Sequence, residues 1–565
     1  MKNLFISILF CSALCGCENF LDRSPLDKIG DETYRKTASD LKYYVNQFYD
    51  DLPGYGGYDA GLYWKDCNSD NMIYSTYDNR LAGYTVVPSE SNDWSWGNIR
   101  AVNHFLQNFN TVKDQGEEVD QYIGEAYFFR AYFYFDLLKK YGDLPWVNKV
   151  LQENDAELYA PRLSRTIIAD SIIMDLSKAA SLMQPASDIN KNRINCDVAN
   201  LLLSEVSLYE GTWEKYHHGT AFGSKDEKIE YFLKKAVEST STVIESGRWS
   251  IYTEGEDPYF NLFNKENYTD HPEVMLAKLY DENLNMTHRS QLYLLLRGSG
   301  RGVTKSLVDD YLCSDGKPLA AHPERGNKTL SEIVQNRDKR LAQTIWIPGD
   351  IRRSVGESVI YFEKPDIDKS GENQNLTGFQ IKKGADPYVV DENKCMTGLV
   401  IYRYANVLLN YAEAKAELGT INQEDIDKTI NVLRARADIA PLKIDAIYND
   451  PNWIFKSISP LLNEIRRERR VELACEGSRF DDLMRWRAHD VFVNQRPKGM
   501  FFNQEEFPDI EVGVNIFVDE NGLIDPYQKS LSGGFLFNPN RDYLLPIPTK
   551  ELTLNENFKQ NPGWN

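Results

Sequence analysis

Apolar residues recur at three- and four-residue steps over both ends of this chain, and that spacing commits most of it to amphipathic helices. Thr37-Ala38-Ser39-Asp40 offers a cap, after which Leu41, Tyr44, Val45 and Phe48 share one helical face. The same period predicts helices over 99–109 and 121–141. In the second, Ile123, Ala126, Arg130, Phe133, Leu137 and Tyr141 lie on one side, and Gly142 and Pro145 stop it. Further helices are predicted over 164–182, 197–209, 228–246, 403–418 and 425–437, with one long helix over 461–488. Residues 53–95 are rich in Gly, Asn, Asp and Tyr and predict a long ordered loop. The period also fails over 249–396, which predicts loops, short strands and a few helices. From 491 to 565 the chain is irregular again.

The recurring unit is a helix, a break and an antiparallel helix. Ala199 and Ala236 stand where the pair 197–209 and 228–246 can approach closely. Residues 411–419 (YAEAKAELG) resemble the first helix and turn of a tetratricopeptide repeat. The expected fold is therefore mainly α, a tetratricopeptide-like helical-repeat scaffold with a loop-rich region containing minor β structure. One unit over 17–565 is expected, with a helical part to 248, a loop-rich insertion over 249–400 and a C-terminal helical part from 401.

The N-terminus carries an address. Lys2 precedes a short apolar run over 4–14, too short to span a bilayer, and Leu14-Cys15-Gly16-Cys17 looks like a lipobox. Residues 1–16 are read as a lipoprotein signal peptide, Cys17 as the lipidated residue and 18–25 as a tether. No second apolar run of spanning length follows, so the lipid would be the membrane anchor. The net charge of −20 argues against nucleic acid. Behind Cys17 remain Cys67, Cys196, Cys313, Cys395 and Cys475, an odd number without a CxxC, which argues against a disulfide framework or a zinc site.

No catalytic pattern stands out. The histidines form no HExxH or spaced cluster, residues 298–302 (GSGRG) lack Walker and Rossmann spacing, and no GxSxG occurs. The expectation is a protein that is not an enzyme, with no catalytic residues, no metal ligands and no cofactor; whether a calcium ion orders a loop stays open. Residues 464–473 (EIRRERRVEL) are the sharpest internal signal. Glu464/Arg467 and Arg469/Glu472 are spaced to pair within the helix, which predicts a structural charge network tying helices together rather than an anion site.

Residues 465–486 (IRRERRVELACEGSRFDDLMRW) closely resemble the hallmark helix of the SusD/RagB family. Residues 125–145, 404–414 (YANVLLNYAEA), 544–548 (LLPIP) and 561–564 (NPGW) resemble other family segments, in the right order. Cys17 with Phe20-Leu21-Asp22 and Pro25 is similar to the family's mature start. The resemblance implies an outer-membrane lipoprotein of Bacteroidetes, lipid-anchored and facing the cell exterior. It would bind a glycan and serve as a lid on a SusC-like TonB-dependent barrel transporter. Oligopeptide capture by the same architecture, a helical scaffold without a small ligand, and a glycan hydrolase are the competing expectations.

The family does not fix binding residues by motif, so candidates rest on chemistry. Sugars are held by aromatic faces together with carboxylate, amide and guanidinium hydrogen bonds, on loops over a rigid scaffold. Residues 64–96 are densest in such groups: Trp64, Asp66, Asp70, Asn71, Tyr74, Tyr77, Arg80, Trp94 and Trp96. Residues 293–311 form a second candidate, with Tyr293, Arg297 and Arg301 around the glycine-rich turn. Anchoring of the following helix is the competing role for Trp94 and Trp96.

Overall fold

The computed structural model describes residues 36–187, 192–325 and 329–564. The signal segment, Cys17 and the tether lie outside the described residues. The architecture is helix-dominated. Helix α1 (Ala38–Asn46) is closed by the Thr37/Asp40 capping box, and α2 (Gly97–Asn108) packs with it on α3 (Glu117–Tyr141). From there the chain runs as stacked neighbours: α4 (Arg165–Leu182), α5 (Cys196–His217) and α6 (Ile229–Glu245). After the loop-rich region, α7 (Tyr404–Glu417) returns to pack on α6, α5 and α10 (Pro460–Glu472). Between them lie α8 (Gln423–Lys428) and α9 (Ile430–Arg436). A further helix, α11 (Arg479–Arg485), packs on α5. Among the described residues no helix is long and apolar enough to cross a membrane.

The strands are short and paired in twos. They are β1 (Met72–Tyr74), β2 (Val274–Lys278), β3 (Arg301–Val303), β4 (Ile351–Val355), β5 (Ser358–Tyr361) and β6 (Leu399–Arg403). Antiparallel pairs join β1 to β3, β2 to β6 and β4 to β5. Two large apolar cores result. One follows the stacked helices; the other lies under the loop-rich region and draws on Trp64, Tyr293, Trp346 and Phe379.

Helix α10 runs between the two cores, with Ile465 in the first and Val471 in the second. Every residue from Leu462 to Glu472 is buried. A helix so charged survives burial only if each charge is paired. Arg466 pairs with Glu417 at 2.9 Å, Arg467 with Asp450 at 2.5 Å, Arg469 with Asp482 at 2.8 Å and Arg470 with Asp310 at 2.5 Å. Glu472 receives Arg340 at 2.7 Å, Arg403 at 2.6 Å, and Arg436. The expected network is present, but with a different wiring. Glu464 does pair with Arg467 at 2.5 Å; Arg469 and Glu472 do not pair with each other, because each reaches another element.

The single helix expected over 461–488 is two. The chain turns at 473–478, where Cys475 (φ 61°) and Gly477 (φ 81°) are left-handed. The buried Asp66 carboxylate accepts from Cys475 N (2.9 Å) and Gly477 N (3.1 Å) and so closes the end of α10. Likewise the helix expected over 425–437 breaks at Thr429 into α8 and α9.

Candidate functional site

The two candidate segments lie about two hundred positions apart in the chain, and the β1–β3 ladder brings them together. Its register sets Met72 opposite Val303 and Tyr74 opposite Arg301. The turn before β3 needs its glycines. A Cβ on Gly298 would sit 2.2 Å from Asn375 N, and one on Gly302 would sit 2.2 Å from Thr377 Oγ1.

On this frame the Arg301 guanidinium is held between two rings, 3.5 Å from the Trp64 centroid and 4.1 Å from that of Tyr74. Its Nη1 donates to Ser299 O at 2.7 Å. Tyr293 meets Trp64 edge-on at 5.1 Å, and Arg297 lies over Tyr293 at 5.6 Å while pairing with Glu372. Tyr58, 70% exposed, accepts a hydrogen bond from Arg289 at 3.0 Å. Burial pushes the Tyr293 phenol up; Glu372 and Tyr58 add to the shift, while Arg297 and Arg289 oppose it, so these groups converge on one ring. Beside this platform lies a polar cavity of about 1060 Å³, with Trp64, Tyr74, Tyr77 and Arg80 in its wall.

Several candidates are structural instead. Asp66, Asp70 and Asn71 are buried against α10 and α11 and present nothing to a ligand. Asp70 takes both Nε and Nη2 of Arg479, at 2.7 and 2.9 Å. Burial would raise its carboxyl, but Arg470 and Arg479 hold it down at about 2. Burial raises Asp66 against the pull of Asn71 and the Cys475 amide. Asn71 accepts from Arg470 Nε at 2.8 Å. Arg80 reaches the cavity wall, yet its guanidinium is spent on the Asp542 and Tyr543 carbonyls, both at 2.7 Å.

Trp94 and Trp96 lie elsewhere. Trp94 packs edge-on against Tyr141 at 4.8 Å and Trp96 against Tyr134 at 5.8 Å, and Trp96 sits at the N-cap of α2. They anchor that helix and line a separate, apolar cavity of about 510 Å³ with Leu151, Leu158 and Phe558. Sequence reasoning missed Tyr58, Arg289 and Glu372. Tyr58 had a signal, a tyrosine following Gly56-Gly57 in a loop; Arg289 and Glu372 had none, because only the fold brings them to Tyr293.

Among the described residues, one side-chain group could hold a metal ion. Cys313, Asp315 and His322 place ligand atoms within 4.8 Å of one another, with His322 Nε2 at 3.1 Å from Asp315. The sequence alone did not point to them.

The sequence pattern of the SusD family matches residues 272–564, and a second pattern, described as "Starch-binding associating with outer membrane", matches residues 19–208. SusD-like protein P2 of Formosa agariphila is 23% identical over 100% of this chain and 99% of its own length. A SusD-like protein from Bacteroides fragilis superposes with a TM-score of 0.72 at 23% identity, covering 96% of this chain and 100% of its own. A SusD-like carbohydrate binding protein from the same organism gives 0.70 at 22%, covering 93% and 100%. The first pattern alone spans more than half of the sequence, and the chain belongs to the SusD family.

Proposed function

We propose that the protein captures a glycan at the outer surface of the outer membrane, held there by lipid on Cys17, and delivers it to a SusC-like TonB-dependent barrel without cleaving it. Family membership supports this, as does the description of one structural neighbour as a carbohydrate binding protein. The observation that carries the reading is Tyr74 with the ring-stacked Arg301 on the β1–β3 ladder, the exposed Tyr58 in the preceding loop, and the open cavity that Tyr74 lines. Sugar rings present C–H faces to aromatic groups and hydroxyls to guanidinium and amide donors. A site whose side chains are already locked by packing loses little entropy on binding.

Affinity electrophoresis against a panel of soluble polysaccharides tests it. The wild-type protein should be retarded by at least one polymer, and Tyr58→Ala with Tyr74→Ala should weaken that retardation about tenfold or more while the circular dichroism spectrum stays unchanged. Full retardation of a folded double variant would move the site away from this platform. Trp94→Ala with Trp96→Ala should affect stability of the α2 end more than affinity.

A further inference from the structure

The outer cavity that Tyr74 lines does not end at its wall. Pro53, Leu62, Tyr132, Lys139, Gly477 and Asp481 border both it and a second space of about 220 Å³, so the two are continuous. The inner space reaches down between α3, α5, α7, α10 and α11 and closes on buried residues, Leu202, Asn410, Arg469 and Arg485. The charged groups of its wall are answered within the protein, with one exception. Lys139 pairs with Asp481 at 2.7 Å, Arg469 with Asp482 at 2.8 Å, Arg485 with Glu413 at 2.6 Å, and Glu476 with Lys383 and Arg403, both at 2.6 Å. The exception is Glu205, whose half-buried carboxyl has neither an ion pair nor a hydrogen bond among the described residues. Asn406 Oδ1, in the same wall, is buried without a partner. The Tyr132, Tyr209 and Tyr402 hydroxyls also line the space and make no hydrogen bond among the described residues. Buried polar groups are normally satisfied. A set of them left open around one closed space marks a place where a ligand supplies the partners.

We propose that the inner space is a specificity pocket that receives a single non-anionic sugar unit projecting from a glycan held in the outer cavity, with Glu205 and Asn406 meeting its hydroxyls. The inference rests on the glycan-binding reading above and narrows the ligand to a glycan that offers such a unit, as a one-residue branch or as a chain end. Size argues for a single unit. The space is about a fifth of the 1060 Å³ outside it, and its closed floor stops a chain from passing through. Chemistry argues for a sugar. The rings of Tyr132, Phe135, Tyr209 and Tyr402 offer faces to C–H groups, while the carboxyl, amide and phenol groups match hydroxyls, which both donate and accept. Burial pushes the Glu205 carboxyl up to about 7, so near neutral pH it can accept from a hydroxyl or donate to one. The wall holds no cation without an acid partner among the described residues, so an acidic sugar would meet only the Glu205 carboxyl and be rejected.

Affinity electrophoresis with polymers that share a main chain and differ in one-residue branches tests the pocket. Galactomannan is compared before and after enzymatic removal of its galactose, and arabinoxylan before and after removal of its arabinose. Partial endo-hydrolysis of each debranched polymer multiplies chain ends at constant mass and gives a soluble competitor. Two results support the pocket and tell the sources apart. Retardation at least about tenfold stronger with a branched polymer than with its debranched form identifies a branch; competition that strengthens about tenfold as ends multiply identifies a terminal unit. Asn406→Leu and Glu205→Leu should each erase that difference. Neither side chain has a partner in the folded protein, so the fold does not depend on either. Glu205→Gln keeps hydrogen-bonding capacity and should retain most of the difference. Tyr58→Ala with Tyr74→Ala should instead weaken both members of a pair alike. Equal retardation by both members of every pair, with competition indifferent to the number of ends, overturns the pocket and leaves glycan capture standing. A difference that persists in folded Asn406→Leu and Glu205→Leu proteins overturns its assignment to these residues. Retardation by no polymer overturns both readings.

Discussion

At the scale of single residues, one set of side-chain types serves two opposite purposes in this protein. Asp66, Asp70 and Asn71 have the chemistry of sugar contacts and stand in an aromatic-rich loop, yet the fold turns them inward to hold α10 and α11. Sequence could not separate the two uses, because the partners of Asp70 are Arg470 and Arg479, four hundred positions away. Removing one member of a buried ion pair strands the other, a loss on the order of 3–5 kcal/mol. Asp70→Asn should therefore lower stability by about 3 kcal/mol, read as a fall in the calorimetric unfolding temperature. Its pH dependence has a defined sign. The Asp70 carboxyl lies at about 2 in the folded protein, below its ordinary value of 3.8. Its contribution is thus complete above about pH 4 and is lost as pH falls toward 2. The wild type should lose that increment on acidification, and Asp70→Asn should lack it.

At the scale of elements, helices were legible and their interruptions were not. The capping box of α1, the Gly142 stop of α3 and the α5–α6 pairing are written in local spacing, which is short-range chemistry. The break between α10 and α11 depends on Asp66 accepting amide protons from Cys475 and Gly477, a long-range contact with no local pattern. The platform behaves the same way. Tyr293, Arg297 and Arg301 were visible as a segment, and Trp64 as another, but the β1–β3 register that makes them one site is tertiary. Helix α5 provides a test of a different kind. Glu205 faces a small cavity between α5, α7 and α10, and burial raises its carboxyl to about 7, against the pull of Arg469 and Lys139 and with Asp481 and Asp482 adding to the rise. An acid with a raised folded value binds more protons folded than unfolded over the interval between the two values. Stability should then fall as pH rises from about 4.5 to 7, and stay reduced above it. Glu205→Gln should raise the unfolding temperature at pH 8 and flatten the slope between pH 5 and 7; an unaltered slope would place that titration elsewhere.

At the scale of the whole molecule, helix α10 joins the two cores, and a protein whose family associates with the outer membrane has to be kept there. Its charge of −20 opposes adsorption to an anionic membrane surface, and among the described residues no helix is long and apolar enough to cross a membrane. The function proposed above gives the task of retention to lipid on Cys17 and the short tether behind it. A single acyl chain gives marginal anchoring, whereas a cysteine bearing more than one chain holds firmly. Cys17→Ala should accordingly release the protein from the membrane fraction on cell fractionation. The released protein should still bind its glycan in affinity electrophoresis, because the platform draws on residues 58–74 and 289–301 and none of the anchor. Growth on that glycan should nonetheless fall. A barrel fed by a tethered partner sees it at a high effective concentration, set by the reach of a few extended residues, and a diffusing partner loses that advantage without losing any contact. Retention of the Cys17→Ala protein in the membrane fraction would assign anchoring to another segment. Released protein that supports full growth would mean that delivery does not depend on the tether.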